Sequence, residues 1–153
     1  MFNLFAFGHR MVASGKKGEG GVAVMEAKII HISIERNWRD VYAYAANPEN
    51  MPSWASGLAA GLEPDGDEWV ASGALGNARV RFTPRNDLGV LDHLVTLETG
   101  IQVHNALRVV PNGSGAEVLF TLLRQPGMSK EQFDGDADWV KKDLNALKAQ
   151  LET

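Results

Sequence analysis

The hydrophobic pattern is strongest at the C-terminal end of the chain, between Met128 and Glu152. Apolar side chains recur there at alternating steps of four and three residues, as in a helix that buries one face. They are Phe133, Ala137, Val140, Leu144, Leu147 and Leu151. Ser129, with Gln132 three residues later, forms a capping-box pattern at the start. The pattern predicts a long amphipathic helix that needs a partner surface, because an isolated helix of this length is marginal in water.

The chain before this helix alternates between apolar and polar positions, which predicts β-strands. A first strand over Lys28–Glu35 precedes a helix that Asn37 can cap and that ends at Asn47-Pro48. A second short helix or turn is predicted within residues 49–57. Six more strands are predicted over Leu58–Glu63, Glu68–Leu75, Ala78–Pro84, Val90–Glu98, Ile101–Val110 and Ala116–Gln125. Turn signals separate these strands at short intervals, which indicates an antiparallel meander.

Seven strands, two short helices between strands 1 and 2, and a long C-terminal helix predict an α+β fold. A sheet of seven strands curls to bury one face, and the long helix is expected to lie in the concave side. One helix does not fill such a curved sheet. The sequence therefore predicts a cavity between the sheet and the C-terminal helix.

The first 24 residues carry no comparable pattern. The stretch 14–21 is rich in glycine and lysine, which is typical of a flexible linker. The apolar residues within 2–7 are too few for the core of a signal peptide. We predict a flexible leader over residues 1–24 and a single domain over residues 25–153. The alternative is that the leader's apolar side chains contact a membrane or a protein partner.

Composition narrows the classes of function. The chain has 15 Lys and Arg residues against 19 Asp and Glu residues, a formal charge of −4, which argues against a nucleic-acid partner. It has no cysteine, so disulfides and thiolate metal sites are excluded. The four histidines lack the close spacing of metal ligands. No apolar run approaches the ~20 residues of a membrane span. We predict a cytoplasmic protein without a metal or another cofactor.

Two polar side chains are predicted to face the apolar interior. His93 shares a strand face with Leu91 and Val95, and Asn105 is the polar inward residue of the next strand. Buried polar groups need partners. Either the two satisfy each other or neighbouring core groups, or they orient the polar end of a bound ligand. Catalysis of proton transfer by His93 is a third interpretation.

Aromatic and basic residues complete the predicted ligand site. Trp54 follows a proline in an irregular turn, and Trp139 lies beside the apolar stripe of the C-terminal helix, so each could border the mouth of a cavity. The full predicted ligand-binding set is His93, Asn105, Trp54, Trp69, Phe82, Phe120, Arg124 and Trp139. No catalytic residue is assigned. The acidic residues at 134, 136 and 138 are interpreted as a solvated helix start that suits the helix dipole.

Several short motifs occur in the same order as in a known superfamily. They are Trp38-Arg39-Asp40-Val41-Tyr42, Asn47-Pro48, Trp54, Val90-Leu91-Asp92-His93, the strand 117–122, and Pro126-Gly127-Met128-Ser129 before the last helix. Over about residues 26–152 the chain resembles the SRPBCC superfamily, the START-like, helix-grip group, and within it the bacterial polyketide cyclase/dehydrase-like proteins. The resemblance implies the helix-grip fold. It does not assign an activity, because the superfamily includes lipid carriers, hormone receptors and aromatase/cyclases.

Three functions therefore stay open. The first is binding of a small hydrophobic or amphipathic molecule between the sheet and the helix, by a monomer or a homodimer. The second is an enzyme of the cyclase, dehydrase or aromatase type that uses His93 or Arg124 on a polyketide-like substrate. The third is a protein-interaction module with a collapsed cavity.

Overall fold

A computed structural model of the protein describes residues 23–58, 60–73 and 76–153, so residues 1–22 of the predicted leader lie outside it. The strands are β1 (Ala27–Ile34), β2 (Leu62–Asp65), β3 (Glu68–Gly73), β4 (Gly76–Phe82), β5 (His93–Leu97), β6 (Gln102–Asn112) and β7 (Gly115–Leu123). The helices are α1 (Trp38–Ala45), α2 (Lys130–Leu151) and two 3₁₀-helices, Met51–Ser53 and Ser56–Leu58. In the described residues, no helix has the length and apolar character needed to cross a membrane.

All seven strands form one antiparallel sheet with the order β1-β7-β6-β5-β4-β3-β2. Strands β2 to β7 follow one another as a meander, and β1 returns to pair with β7. The sheet curves around α2, which packs against β1 and β7. This arrangement confirms the predicted helix-grip fold, with α1 and the short 3₁₀ segments between the first two strands.

The predicted alternation of inward and outward side chains is confirmed in the four strands β4 to β7. The buried inward residues are Ala78, Val80, His93, Val95, Val103, Asn105, Leu107, Val109, Val118, Phe120 and Leu122. Arg79 and Arg81 are exposed on the opposite face, where both donate hydrogen bonds to Glu68. One face of the sheet therefore forms the core, and the other carries charge.

Helix α2 begins with the predicted capping box. The Ser129 hydroxyl accepts a hydrogen bond from Gln132 N, and the Gln132 side chain accepts one from Ser129 N. The predicted apolar stripe faces the sheet, with Phe133, Leu144 and Leu147 fully buried. Ala137, at the edge of the stripe, is partly buried and packs against the core.

The interpretation of the acidic start of α2 as solvated is wrong for Asp136, which is only 2% exposed. Asp136 lies three residues after Phe133 and four before Val140, so it falls on the same helix face as these buried side chains. Asp138 is exposed, as expected.

Two strand boundaries also differ from the prediction. The segment predicted as a strand over Leu58–Glu63 begins instead with the end of a 3₁₀-helix, and β2 starts at Leu62. Gly61 N donates to Leu58 O and Gly61 has a φ of 123°, so the chain turns before it pairs. In the predicted strand Val90–Glu98, regular pairing starts at His93, and Val90 forms only an isolated bridge with Arg108.

Candidate functional site

A buried polar pair lies at the middle of the sheet. His93 on β5 and Asn105 on β6 are direct partners in the strand register, and both are buried. Asn105 Nδ2 lies 3.3 Å from His93 Nε2, and His93 Nδ1 lies 3.0 Å from the Leu91 carbonyl oxygen. A carbonyl only accepts, so Nδ1 carries the hydrogen and Nε2 accepts from the Asn105 amide. The geometry therefore matches a neutral imidazole with both nitrogens bonded.

The residues just before β5 are held in place by contacts on the outer face of the sheet. The Asp92 carboxylate accepts hydrogen bonds from Leu107 N at 3.0 Å and from the Arg108 guanidinium at 2.9 and 2.7 Å. The hydrogen bond with Arg108 holds the pKa of Asp92 below its usual range. Because Asp92 lies between Leu91 and His93, this clamp sets the position of both the imidazole and the carbonyl that it bonds.

A cavity of about 320 Å³ opens above this part of the sheet, beside the C-terminal end of α1. Its apolar walls are formed by Tyr42 on α1, Trp69 on β3, Phe82 on β4 and Leu91, which lies just before β5. The Phe82 and His93 rings are in contact, with their centroids 5.8 Å apart. Phe82 thus belongs to the cavity wall and also rests on the buried polar pair.

The loop between β4 and β5 forms the rim of this cavity and is closely tied to α1. Asn86 N donates to the Tyr42 hydroxyl at 2.9 Å. The Asn86 side chain accepts hydrogen bonds from Leu88 N and Val90 N and donates to Val90 O. The preceding residue, Arg85, lines the cavity and places its guanidinium 5.4 Å from the centroid of the Tyr42 ring.

The eight predicted ligand-binding residues fall into four pairs by their location. Trp69 and Phe82 line the cavity, and His93 and Asn105 follow Phe82 across the neighbouring strands β5 and β6. Trp54 and Phe120 are fully buried members of the hydrophobic core. These six residues share the interior of the fold, although only two border the open space.

The other two predicted residues lie outside the set that lines the cavity. Arg124 donates to Met128 O at 2.9 Å and pairs with Glu26 at 3.2 Å, so it fixes the connection between β7 and α2. Trp139 is partly buried on α2, where Lys142 Nζ lies 4.4 Å from its ring centroid. In these positions both side chains have local structural partners.

Two buried carboxylates on α2 were not predicted. Asp143 is 1% exposed, and its Oδ1 accepts hydrogen bonds from Ser56 N at 3.2 Å and Ser56 Oγ at 2.7 Å. Burial raises the pKa of Asp136 to about 6. Their spacing in the sequence could have indicated this burial, because residues seven apart lie close to one helix face. Asp136 and Asp143 therefore belong to the stripe between Phe133 and Leu147.

A second cavity, of about 450 Å³, lies near the turn between β6 and β7 and the residues just before α1. Its lining is mostly polar, with Ser33, Arg36, Asn112 and Ser114 among the residues. Among the described residues, no three His, Asp or Glu side chains come together as a metal ion would require. The aromatic walls therefore distinguish the cavity beside α1 as the candidate ligand site.

Comparisons of sequence and structure give different results. No protein-family model matches the sequence, and no curated protein matches it. Solved structures do match. XoxI from Bacillus cereus has a TM-score of 0.67 at 13% identity, over 83% of this chain and 96% of that chain. The protein shares the helix-grip fold of these structures.

Two further structures agree with this assignment of the fold. The Aha1 dimer from Colwellia psychrerythraea has a TM-score of 0.65 at 13% identity, over 84% of this chain and 97% of that chain. DynU16, a protein of the dynemicin biosynthetic locus, has a TM-score of 0.64 at 14% identity, over 83% of this helix-grip chain and 47% of its own length. At these identities the likeness concerns the fold.

Proposed function

We propose that the protein binds a small amphipathic molecule in the cavity beside α1, with Trp69 and Phe82 holding its apolar part. The observation that carries this proposal is an open space of about 320 Å³ with aromatic walls, at the lower end of the size range of small-molecule sites. Trp69 and Phe82 are only partly buried, whereas Phe120 and Phe133 on the same side of the sheet are fully buried. A bound molecule would cover the remaining apolar surface.

The buried polar pair beside Phe82 supports a binding role over proton transfer. Both ring nitrogens of His93 have hydrogen-bond partners, and of the cross-strand neighbours Phe82 and His93 only Phe82 lines the cavity. We therefore assign His93 and Asn105 to positioning the Phe82 ring.

The first experiment is native mass spectrometry of the purified protein, followed by extraction of any co-purified molecule. The second is calorimetric titration with 2-naphthalenemethanol, a neutral compound with an apolar ring system and one hydroxyl. We expect binding by the native protein and at least tenfold weaker binding by Phe82→Ala, since the variant loses the ring contact.

The matched control is Ile29→Ala, which removes an apolar side chain that is 56% exposed and does not line this cavity. It should bind 2-naphthalenemethanol with unchanged affinity. Equal affinity for the native protein and Phe82→Ala, or no binding by the native protein, would refute the proposal. The monomeric or homodimeric state stays a prediction, to be measured in the same mass spectra.

A further inference from the structure

We infer that the ligand is a planar aromatic compound that carries a carboxylate, and that Arg85 and the Tyr42 hydroxyl recognise this carboxylate at the cavity rim. The inference rests on the proposed function, because it names the class of ligand for the same cavity. It starts from the hydrogen-bond donors that the native contacts leave available.

Arg85 differs from most arginines of the protein in its partners. Within residues 23–58, 60–73 and 76–153, five arginines form ion pairs with carboxylates: Arg36, Arg79, Arg81, Arg108 and Arg124. In the same described residues, Arg85 has no ion pair, and its guanidinium lies over the Tyr42 ring. An arginine that stacks on an aromatic face keeps its N–H groups at the edge of the plane. Those groups suit the two oxygens of a carboxylate.

The Tyr42 hydroxyl supplies a second donor. Its oxygen already accepts a hydrogen bond from Asn86 N. Among the described residues no acceptor is present for the hydroxyl hydrogen, and Tyr42 lines the cavity. A phenol both donates and accepts, so this hydrogen is available to an acceptor on the ligand. Arg85 and Tyr42 together therefore form a small anion-binding corner.

The backbone around Arg85 is held in place before any ligand binds. The Asn86 amide accepts from Val90 N at 3.1 Å and donates to Pro84 O at 2.9 Å, which closes the loop on itself. The contact of Asn86 N with Tyr42 ties the same loop to α1. Preorganisation of this kind reduces the entropy lost on binding.

The remaining walls favour a flat apolar body. Trp69 and Phe82 present aromatic side chains to a space at the small end of the range for ligand sites, which suits one or two fused rings. Among the described residues that line the cavity, Asp67 is the one that carries a carboxylate. Its side chain is 89% exposed and lies 4.0 Å from Arg81, so solvent and Arg81 screen its repulsion of an anion.

The test compares 2-naphthoate, which is ionised at neutral pH, with the neutral 2-naphthalenemethanol. Both are titrated calorimetrically into the native protein, Arg85→Gln and Arg39→Gln. The control is matched, because Arg39 is also exposed, also stacks on an aromatic ring (Trp38, at 4.6 Å), and has no ion pair among the described residues. It does not line the cavity.

We expect the native protein and Arg39→Gln to bind 2-naphthoate at least tenfold more tightly than 2-naphthalenemethanol. Arg85→Gln should reduce this preference to less than threefold, mainly through weaker binding of 2-naphthoate. Equal affinity of the native protein for both compounds, or an unchanged preference in Arg85→Gln, would overturn the inference and leave the proposed function standing. Failure of the native protein to bind either compound would overturn both.

Discussion

The two ends of the sheet's buried face differ in how completely they are filled. Beneath α2, Phe120, Leu144 and Leu147 are fully buried and pack together in the core. Beside α1, Trp69 and Phe82 are only partly buried and border an open space. The same sheet therefore has a closed end and an open end.

Helix length accounts for much of this difference. At 1.5 Å per residue, the 22 residues of α2 extend about 33 Å, whereas the eight residues of α1 extend about 12 Å. Helix α1 ends at Ala45, and the small side chain of Ala46 and the ring of Pro48 border the cavity. The long helix covers the closed end, and the short helix leaves an open space beside it.

The largest expected effect lies at the closed end. Leu144→Ala should lower the free energy of unfolding by about 2–5 kcal/mol, because it leaves a cavity in a filled core. Lys148→Ala should cost less than about 1 kcal/mol, although its ammonium donates to Ser33 O and Glu152. Urea denaturation of both variants makes this measurement. Similar losses for the two substitutions would show that the faces of α2 are wrongly assigned.

Substitutions in the buried pair of His93 and Asn105 test the region between the two ends. His93→Phe removes both ring nitrogens and leaves the Asn105 amide and the Leu91 carbonyl without these bonds, which should cost about 1–3 kcal/mol. Adding Asn105→Leu should cost less than it does in the native background, since the two side chains interact directly. A double-mutant cycle measured by denaturation gives this coupling. Additive effects would mean that the pair is not a unit.

The buried carboxylate of Asp143 connects α2, at the closed end, to Ser56 in the segment that leads to β2. Asp143→Ala should lower the free energy of unfolding by about 1–3 kcal/mol, because the Ser56 N–H and hydroxyl lose their acceptor. The exposed Asp138 on the same helix provides the control, and Asp138→Ala should stay within about 0.5 kcal/mol of the native protein. Equal stabilities for Asp143→Ala and Asp138→Ala would contradict the contact with Ser56.

The smallest expected effect depends on pH. Burial raises the pKa of Asp136 to about 6, above the value near 3.9 of an unfolded chain. The folded protein therefore retains this proton more readily, and ionisation of Asp136 costs stability as pH rises from about 4 to above 6. Relative to Asp136→Asn, the native protein should lose roughly 1–2 kcal/mol of unfolding free energy over this range. A constant difference between pH 4 and pH 7 would contradict the raised pKa.

The periodic parts of the fold were predictable from the sequence. Alternation within β4 to β7 and the three–four spacing of α2 each follow from local geometry, so they identified the inward residues. The burial of Asp143 depends on Ser56, 87 residues away in the chain. Such a partner leaves no local periodic signal.

The position of the cavity also could not be predicted from local patterns in the sequence. The prediction placed it between the sheet and α2, whereas the aromatic-walled cavity lies beside α1. Its rim depends on contacts such as that of Asn86 with Tyr42, which come from distant parts of the chain. Phe82 was identified because strand parity placed it on the inner face, but Arg85 sits in a loop where parity does not apply.

The central claim is that the open end binds a ligand and the closed end does not. Two-dimensional amide NMR spectra during titration with 2-naphthoate test it most directly. We predict chemical-shift changes for the amides of Trp69, Phe82 and Arg85, with the amides of Leu144 and Leu147 unchanged. Changes concentrated along α2, with none around Phe82, would contradict the account.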